Sequence, residues 1–164
     1  MEKLLIRGGR VIDPANGVDK VADVLIADGK IAAVGENLTD DDARIIDAGG
    51  MRLAPGFIDV HTHGAAGVDV NAADEAGLRR IAAFFATQGV TAFNASVLTD
   101  TPEKTEKCLG AIANVMSDRG KGAQLLGAHL EGPFLAREYK GAMPEYLLRE
   151  GDENLLRAYQ NKYP

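Results

Sequence analysis

"PGFIDVHTHGAAGVD", residues Pro55 to Asp69, is where the character of the chain changes. Before it come tight turns and alternating apolar runs. After it, short apolar strands alternate with helix-length amphipathic segments. Within it, "FIDVH" reads as a short strand, because apolar residues crowd between Pro55-Gly56 and the glycines that follow. Alternate side chains of a strand share a face. Phe57, Asp59, His61 and His63 are therefore expected to point one way, and Ile58 and Val60 the other, against covering helices.

Upstream, residues 1–54 read as a small β-rich module. "ADVLIADGKIAAVG" sets two apolar runs on either side of Asp28-Gly29, a hairpin signal because such turns need positive φ. "KLLIRGGRVID" and "ARIIDAGGMRLAPG" repeat the theme, and no helix-length pattern interrupts it. Downstream, residues 55–164 read as βα units. "DEAGLRRIAAFFATQG" is an amphipathic helix with Leu78, Ile81, Ala82 and Phe85 on one stripe and Gly89 at its stop. "VTAFNASV" is a second strand. "TPEKTEKCLGAIANVMSDRG" is a second helix, with Thr101 as cap, Pro102 first in the helix, Gly120 beyond it, and Leu109, Ile112 and Met116 as its buried stripe. "AQLLGAHLE" is a third strand, and a third helix starts at about Asp152.

That alternation is the signature of a parallel sheet covered by helices. An eight-unit barrel takes about 250 residues. Three units are thus either a small open α/β sheet or the first part of something larger.

Composition narrows the function. The 164 residues are 46% hydrophobic and 26% charged, a globular balance. A formal net charge of −6 and a pI near 5.0 argue against a nucleic-acid surface, which would be basic. The opening "MEKLLIRGGR" holds too short an apolar run for a secretory signal, and no stretch approaches a membrane span. The single cysteine, Cys108, has no partner for an internal disulfide and falls in a helix, so a buried thiol and a cytoplasmic setting are expected.

Candidate chemistry gathers at the C-terminal ends of two strands, where α/β folds place their ligands. His61 and His63, two residues apart on one strand face, are close enough to hold one ion, with a surface pair of polar side chains as the alternative. In "QLLGAHLEGPF", Leu125, Gly127, His129 and Glu131 are expected to share a face, and Leu126, Ala128 and Leu130 the other. A carboxylate ending a strand needs a partner: an ion pair, a helix cap, or a metal that histidine also binds. Three histidines and one glutamate on two parallel strands favour a divalent metal, such as zinc, iron or manganese, over those alternatives. His129 and Asp59 are expected to orient their neighbours by hydrogen bonds.

These motifs resemble a known family. "APGFIDVHTHG", with the upstream "DVLIADGKIAAVG" hairpin, is similar to the start of amidohydrolase-superfamily barrels. "LLGAHLEGPFLAREYKGAMPEYL", "HGAAGVDV" and "GVTAFNASVLTD" resemble the N-acetylglucosamine-6-phosphate deacetylases within that superfamily. The resemblance implies a fold in which residues 1–54 form part of a composite β-sandwich and residues 55–164 supply the first three βα units of a TIM-like (β/α)8 metal-dependent hydrolase barrel, incomplete in this chain. It implies hydrolysis of the acetamide of N-acetylglucosamine 6-phosphate to glucosamine 6-phosphate and acetate, with one or two divalent metal ions. His61, His63 and Glu131 match the family's metal ligands, and Ala142 and Met143 fall in its substrate loop. Met143 stands where family members often carry histidine, and a thioether cannot replace an imidazole's hydrogen bond.

The chain has only three histidines. By the resemblance, two further histidine ligands and the catalytic aspartate lie beyond Pro164, so no catalytic residue is assigned and the chain alone is expected to be catalytically incomplete. Two alternatives are a non-catalytic truncated module that binds or oligomerises, and another amidohydrolase acting on a cyclic amide, such as a dihydroorotase. The expected partners are an amino-sugar phosphate and either a second copy or the remaining barrel, with no nucleic acid or membrane.

Overall fold

The computed structural model describes residues 3–118 and 120–164; Met1, Glu2 and Arg119, the last within the segment read as the second helix, lie outside the described residues. The chain divides into two compact units, Met1–Pro55 and Gly56–Pro164.

The first unit holds β1 (Lys3–Asp13), β2 (Val18–Ala27), β3 (Lys30–Gly35), β4 (Ala43–Asp47) and β5 (Arg52–Leu53). They form one sheet in the order β3-β2-β1-β4, with β5 also against β1. β1 runs antiparallel to β2 and parallel to β4 and β5. The β2–β3 turn has Asp28 at φ 53° and Gly29 at φ 72°, the paired left-handed conformation that lets a two-residue hairpin follow strand twist. Val11, Ala22 and Val24 form its small core. Beside it Asp23, buried in β2, accepts hydrogen bonds from the backbone N–H of Gly8 at 2.9 Å and of Leu38 at 3.0 Å. Gly8 sits where the β1–β2 register slips between Ile6 and Gly9, so this carboxylate satisfies a donor that the slip frees.

The second unit contains β6 (Phe57–Thr62), the short strands β7 (Gly64–Ala65) and β8 (Val68–Asp69), α1 (Glu75–Thr87), β9 (Val90–Leu98), α2 (Pro102–Ser117), β10 (Gln124–Glu131) and α3 (Glu153–Lys162). β6, β9 and β10 make a parallel sheet in the order β10-β9-β6. Among the described residues the sheet does not close, as expected for three βα units. Each helix starts on a side-chain cap: Asp74, Thr101 and Asp152 accept from Gly77, Lys104 and Leu155 N–H groups. The core joins Leu78, Ile81 and Phe85 of α1 and Cys108, Ile112 and Val115 of α2 to Phe93, Ala95 and Val97 of β9.

Three readings need correction. Ile58 and Val60 do not pack beneath helices but are 61% and 62% exposed, because β6 is an edge strand while α1 and α2 pack against β9 and β10. Leu125 does not share the face of His129 and Glu131. The β9–β10 register slips at Leu126, so Leu125 pairs with Phe93 and joins the helix-side core, whereas Gly127, His129 and Glu131 pair with Asn94, Ser96 and Leu98. On α2, Val115 takes the buried position and Met116 is half-buried.

Candidate metal centre

Two parallel strands deliver the cluster at their C-terminal ends. His61 lies in the last turn of the pleat of β6, His63 just past it, and Glu131 ends β10. His61 Nε2 is 2.8 Å from Glu131 Oε2, His63 Nε2 is 3.0 Å from the same oxygen, and the two Nε2 atoms are 3.2 Å apart. For ligands about 2.0–2.1 Å from a tetrahedral zinc, neighbouring donor atoms stand about 3.3 Å apart. The three edges fall close to that size.

The proton inventory also fits a cation. His63 Nδ1 lies 3.2 Å from the carbonyl oxygen of Ser96, which can only accept. Nδ1 therefore carries the hydrogen of a neutral ring, and Nε2 directs a lone pair into the cluster. A hydrogen on His61 Nε2 serves Glu131, but the contact between His63 Nε2 and Glu131 Oε2 then brings two lone pairs together. A cation, or an added proton, relieves that contact. The hydrogen bond from His61, with the charges that His63, His61 and His129 carry when protonated, moves the Glu131 carboxyl below its usual range against an opposing effect of burial.

The loop after β6 folds back on itself. Gly64 sits at φ 144°, and a Cβ there would come within 2.0 Å of the Val68 carbonyl oxygen, so only glycine permits the close β7–β8 pairing. The His63 carbonyl accepts from Val70 N–H at 2.9 Å. Asn71 then clamps this loop to β9: its amide donates to the Leu98 carbonyl at 3.0 Å and accepts from Leu98 N–H at 2.8 Å. On the other side, Thr99 Oγ1 donates to the Glu131 carbonyl at 3.1 Å.

Asp59 accepts from the backbone N–H of His61 at 3.0 Å, and so grips the main chain rather than the ring. His129 stands edge-on to His61, ring centroids 4.7 Å apart, and its Nδ1 is 2.9 Å from Ser96 Oγ. One ligand atom each from His129, His61 and Glu131 also lie within 4.8 Å of one another, a second grouping of the same residue types that could hold an ion. Ala142 is exposed; Met143 is 6% exposed, and its carbonyl accepts from Lys140 Nζ at 3.0 Å. Among the described residues, neither forms a hydrogen bond with the histidines or Glu131. Cys108 is buried as expected, its thiol 3.2 Å from the Val70 carbonyl and its pKa pushed up by burial to about 11.

Ser96 and Asn71 were not singled out from sequence. The signal for Ser96 was there in "VTAFNASVL", where polar Asn94 and Ser96 alternate with Phe93, Ala95 and Val97 in a strand with no exposed reason for them. Asn71 carried no comparable signal, since its partner lies 27 positions away.

No family model matches the chain. N-acetylglucosamine-6-phosphate deacetylase of Mus musculus is 39% identical over 156 residues, which is 93% of this chain and 34% of that protein. A dihydroorotase of Solibacter usitatus is 58% identical, but over 60 residues, 37% of this chain. Among solved structures, N-acetyl-D-glucosamine-6-phosphate deacetylase of Mycobacterium smegmatis, a variant in complex with N-acetyl-D-glucosamine 6-phosphate, aligns with a TM-score of 0.80 at 25% identity, covering 98% of this chain and 41% of that one. In sequence and fold the chain is similar to one part of these N-acetylglucosamine-6-phosphate deacetylases, and it spans about a third of the length of the mouse relative.

Proposed function

We propose that the chain supplies part of the active site of a metal-dependent deacetylase that hydrolyses the acetamide of N-acetylglucosamine 6-phosphate. Water adds across the amide C–N bond, giving the free amine, glucosamine 6-phosphate, and acetate. The observation that carries this reading is the convergence of His61, His63 and Glu131 on one point at the ends of β6 and β10. These three would hold a divalent ion of the zinc, iron or manganese class, and Glu131, with two oxygens, could serve a second. Such an ion polarises a carbonyl and lowers the pKa of its bound water to about 7.

The chain's own residues make that environment. Glu131, kept ionised by the imidazoles, contributes negative charge, and His63 presents a lone pair fixed by the Ser96 carbonyl. Asp59 and His129 hold His61 in place from its backbone and its ring edge. In the loop that would meet the substrate, exposed Ala142 offers its backbone to a sugar, whereas Met143 is buried and its main-chain N–H and carbonyl are both engaged by Lys140. No general base is assigned among these residues. The uncovered apolar side chains of β6 support association of that edge with further βα units or with a second copy.

Two measurements test the proposal. Calorimetric zinc titration with elemental analysis should give binding that His61→Ala and Glu131→Ala abolish; unchanged metal content in both variants would count heavily against the site. Replacing the matching segment of a deacetylase relative with residues 1–164 should give a chimera that releases acetate from N-acetylglucosamine 6-phosphate and opens no cyclic amide. A folded chimera with the opposite preference would move the reading to the dihydroorotase-like alternative.

A further inference from the structure

We propose that Ser96 acts as a positioning residue that imposes opposite tautomers on two imidazoles, so that His63 faces the centre with a bare nitrogen and His129 with an N–H. Ser96 is fully buried in β9, and both of its oxygens are engaged. Its carbonyl oxygen lies 3.2 Å from His63 Nδ1 and its hydroxyl oxygen 2.9 Å from His129 Nδ1.

The two oxygens have different capacities. A carbonyl only accepts, so His63 Nδ1 must hold the hydrogen and Nε2 keeps a lone pair. A hydroxyl has one hydrogen to give, and a buried one left ungiven is costly. Among the described residues, Ser96 Oγ has no partner but His129 Nδ1. The hydroxyl therefore donates to that nitrogen, and the hydrogen of the neutral His129 ring sits on Nε2. A single residue thereby sorts two chemically identical side chains: His63 is equipped as a ligand, and His129 as a donor beside the Glu131 carboxylate and the His61 ring. Only the word "ligand" rests on the metal reading above; the tautomers themselves do not.

The test is nitrogen-15 NMR of the imidazoles in the metal-free 164-residue chain at about pH 8. Long-range proton–nitrogen correlations should show His63 as the Nδ1–H form and His129 as the Nε2–H form. Ser96→Ala should remove the preference of His129 while His63 keeps its own, because the main-chain carbonyl survives the substitution. Ser96→Thr, which retains a hydroxyl, should restore the Nε2–H form of His129. Finding His63 and His129 in the same tautomer, or His129 unmoved in a folded Ser96→Ala variant, would overturn the proposal. The wild-type spectrum decides it even where Ser96→Ala fails to fold. Adding zinc separates the two readings: it should shift His63 Nε2 and leave His129 Nε2 protonated. Tautomers as assigned with no zinc-induced shift would uphold the Ser96 assignment and remove the metal centre instead.

Discussion

β9 and β6 are neighbours in one parallel sheet and both rich in apolar residues, yet their fates differ. In β9, Phe93 and Ala95 are fully buried and Val97 is 1% exposed; in β6, Phe57, Ile58 and Val60 are 71%, 61% and 62% exposed. Hydropathy does not separate the two strands. Position does: β9 is paired on both sides and covered by α1 and α2, whereas β6 has one neighbour. The polar ends of the strands behave in the opposite way. His61 and Glu131 come from the two edges of the sheet and meet over the central strand, whose Ser96 supports the histidines on each side. Packing is thus concentrated on one strand, and the candidate chemistry is assembled from the other two.

The contrast between the strands is broken most severely by Phe93→Ala. Removing a buried phenyl ring should cost about 3–5 kcal/mol, whereas Ile58→Ala should cost less than about 1 kcal/mol. Urea unfolding followed by circular dichroism measures both, and equal losses would show that β6 is covered in solution. The next effect belongs to the cluster at the strand ends. Zinc at about a hundred times its dissociation constant should stabilise the second unit by about 2.7 kcal/mol. A chelator should reverse that gain, and Glu131→Ala should abolish it, as read by thermal unfolding.

A third test moves to the first unit, whose buried carboxylate serves backbone rather than chemistry. Asp23→Ala leaves the N–H groups of Gly8 and Leu38 without their acceptor and should cost about 1–3 kcal/mol, without changing zinc affinity. A change in zinc affinity would contradict the separate roles of the two carboxylates. A subtler effect is alkaline. Burial raises the Cys108 thiol from 9.0 to about 11, so the unfolded chain releases that proton first. Stability from this thiol is intact below pH 9 and declines as pH rises from about 9 towards 11. Equilibrium unfolding across that window should show the decline, and Cys108→Ala should flatten it. Alkylation of the native thiol at neutral pH should be slow and become fast on unfolding. The smallest change in stability, within about 0.5 kcal/mol, is expected for Val60→Lys. The same substitution should reduce self-association in light scattering, since it places a charge on an exposed apolar edge.

The sequence by itself determined the local structure. The Asp28-Gly29 hairpin, the caps at Asp74, Thr101 and Asp152, the α1 stripe and the strand carrying His61 all depend on contacts a few residues apart, so turn chemistry and periodicity encode them. It also indicated that His61, His63 and Glu131 belong together, because residue type and position at strand ends survive without coordinates. Only the tertiary structure decided that Leu125 leaves the face of Glu131, since a register slip is a property of two strands and leaves no mark on one. Only the tertiary structure exposed Ile58 and Val60 and brought Ser96 to both histidines. The reason is the same in each case. Burial, register and the direction of a shared proton are set by groups distant in the chain, and no local pattern records which of them will arrive.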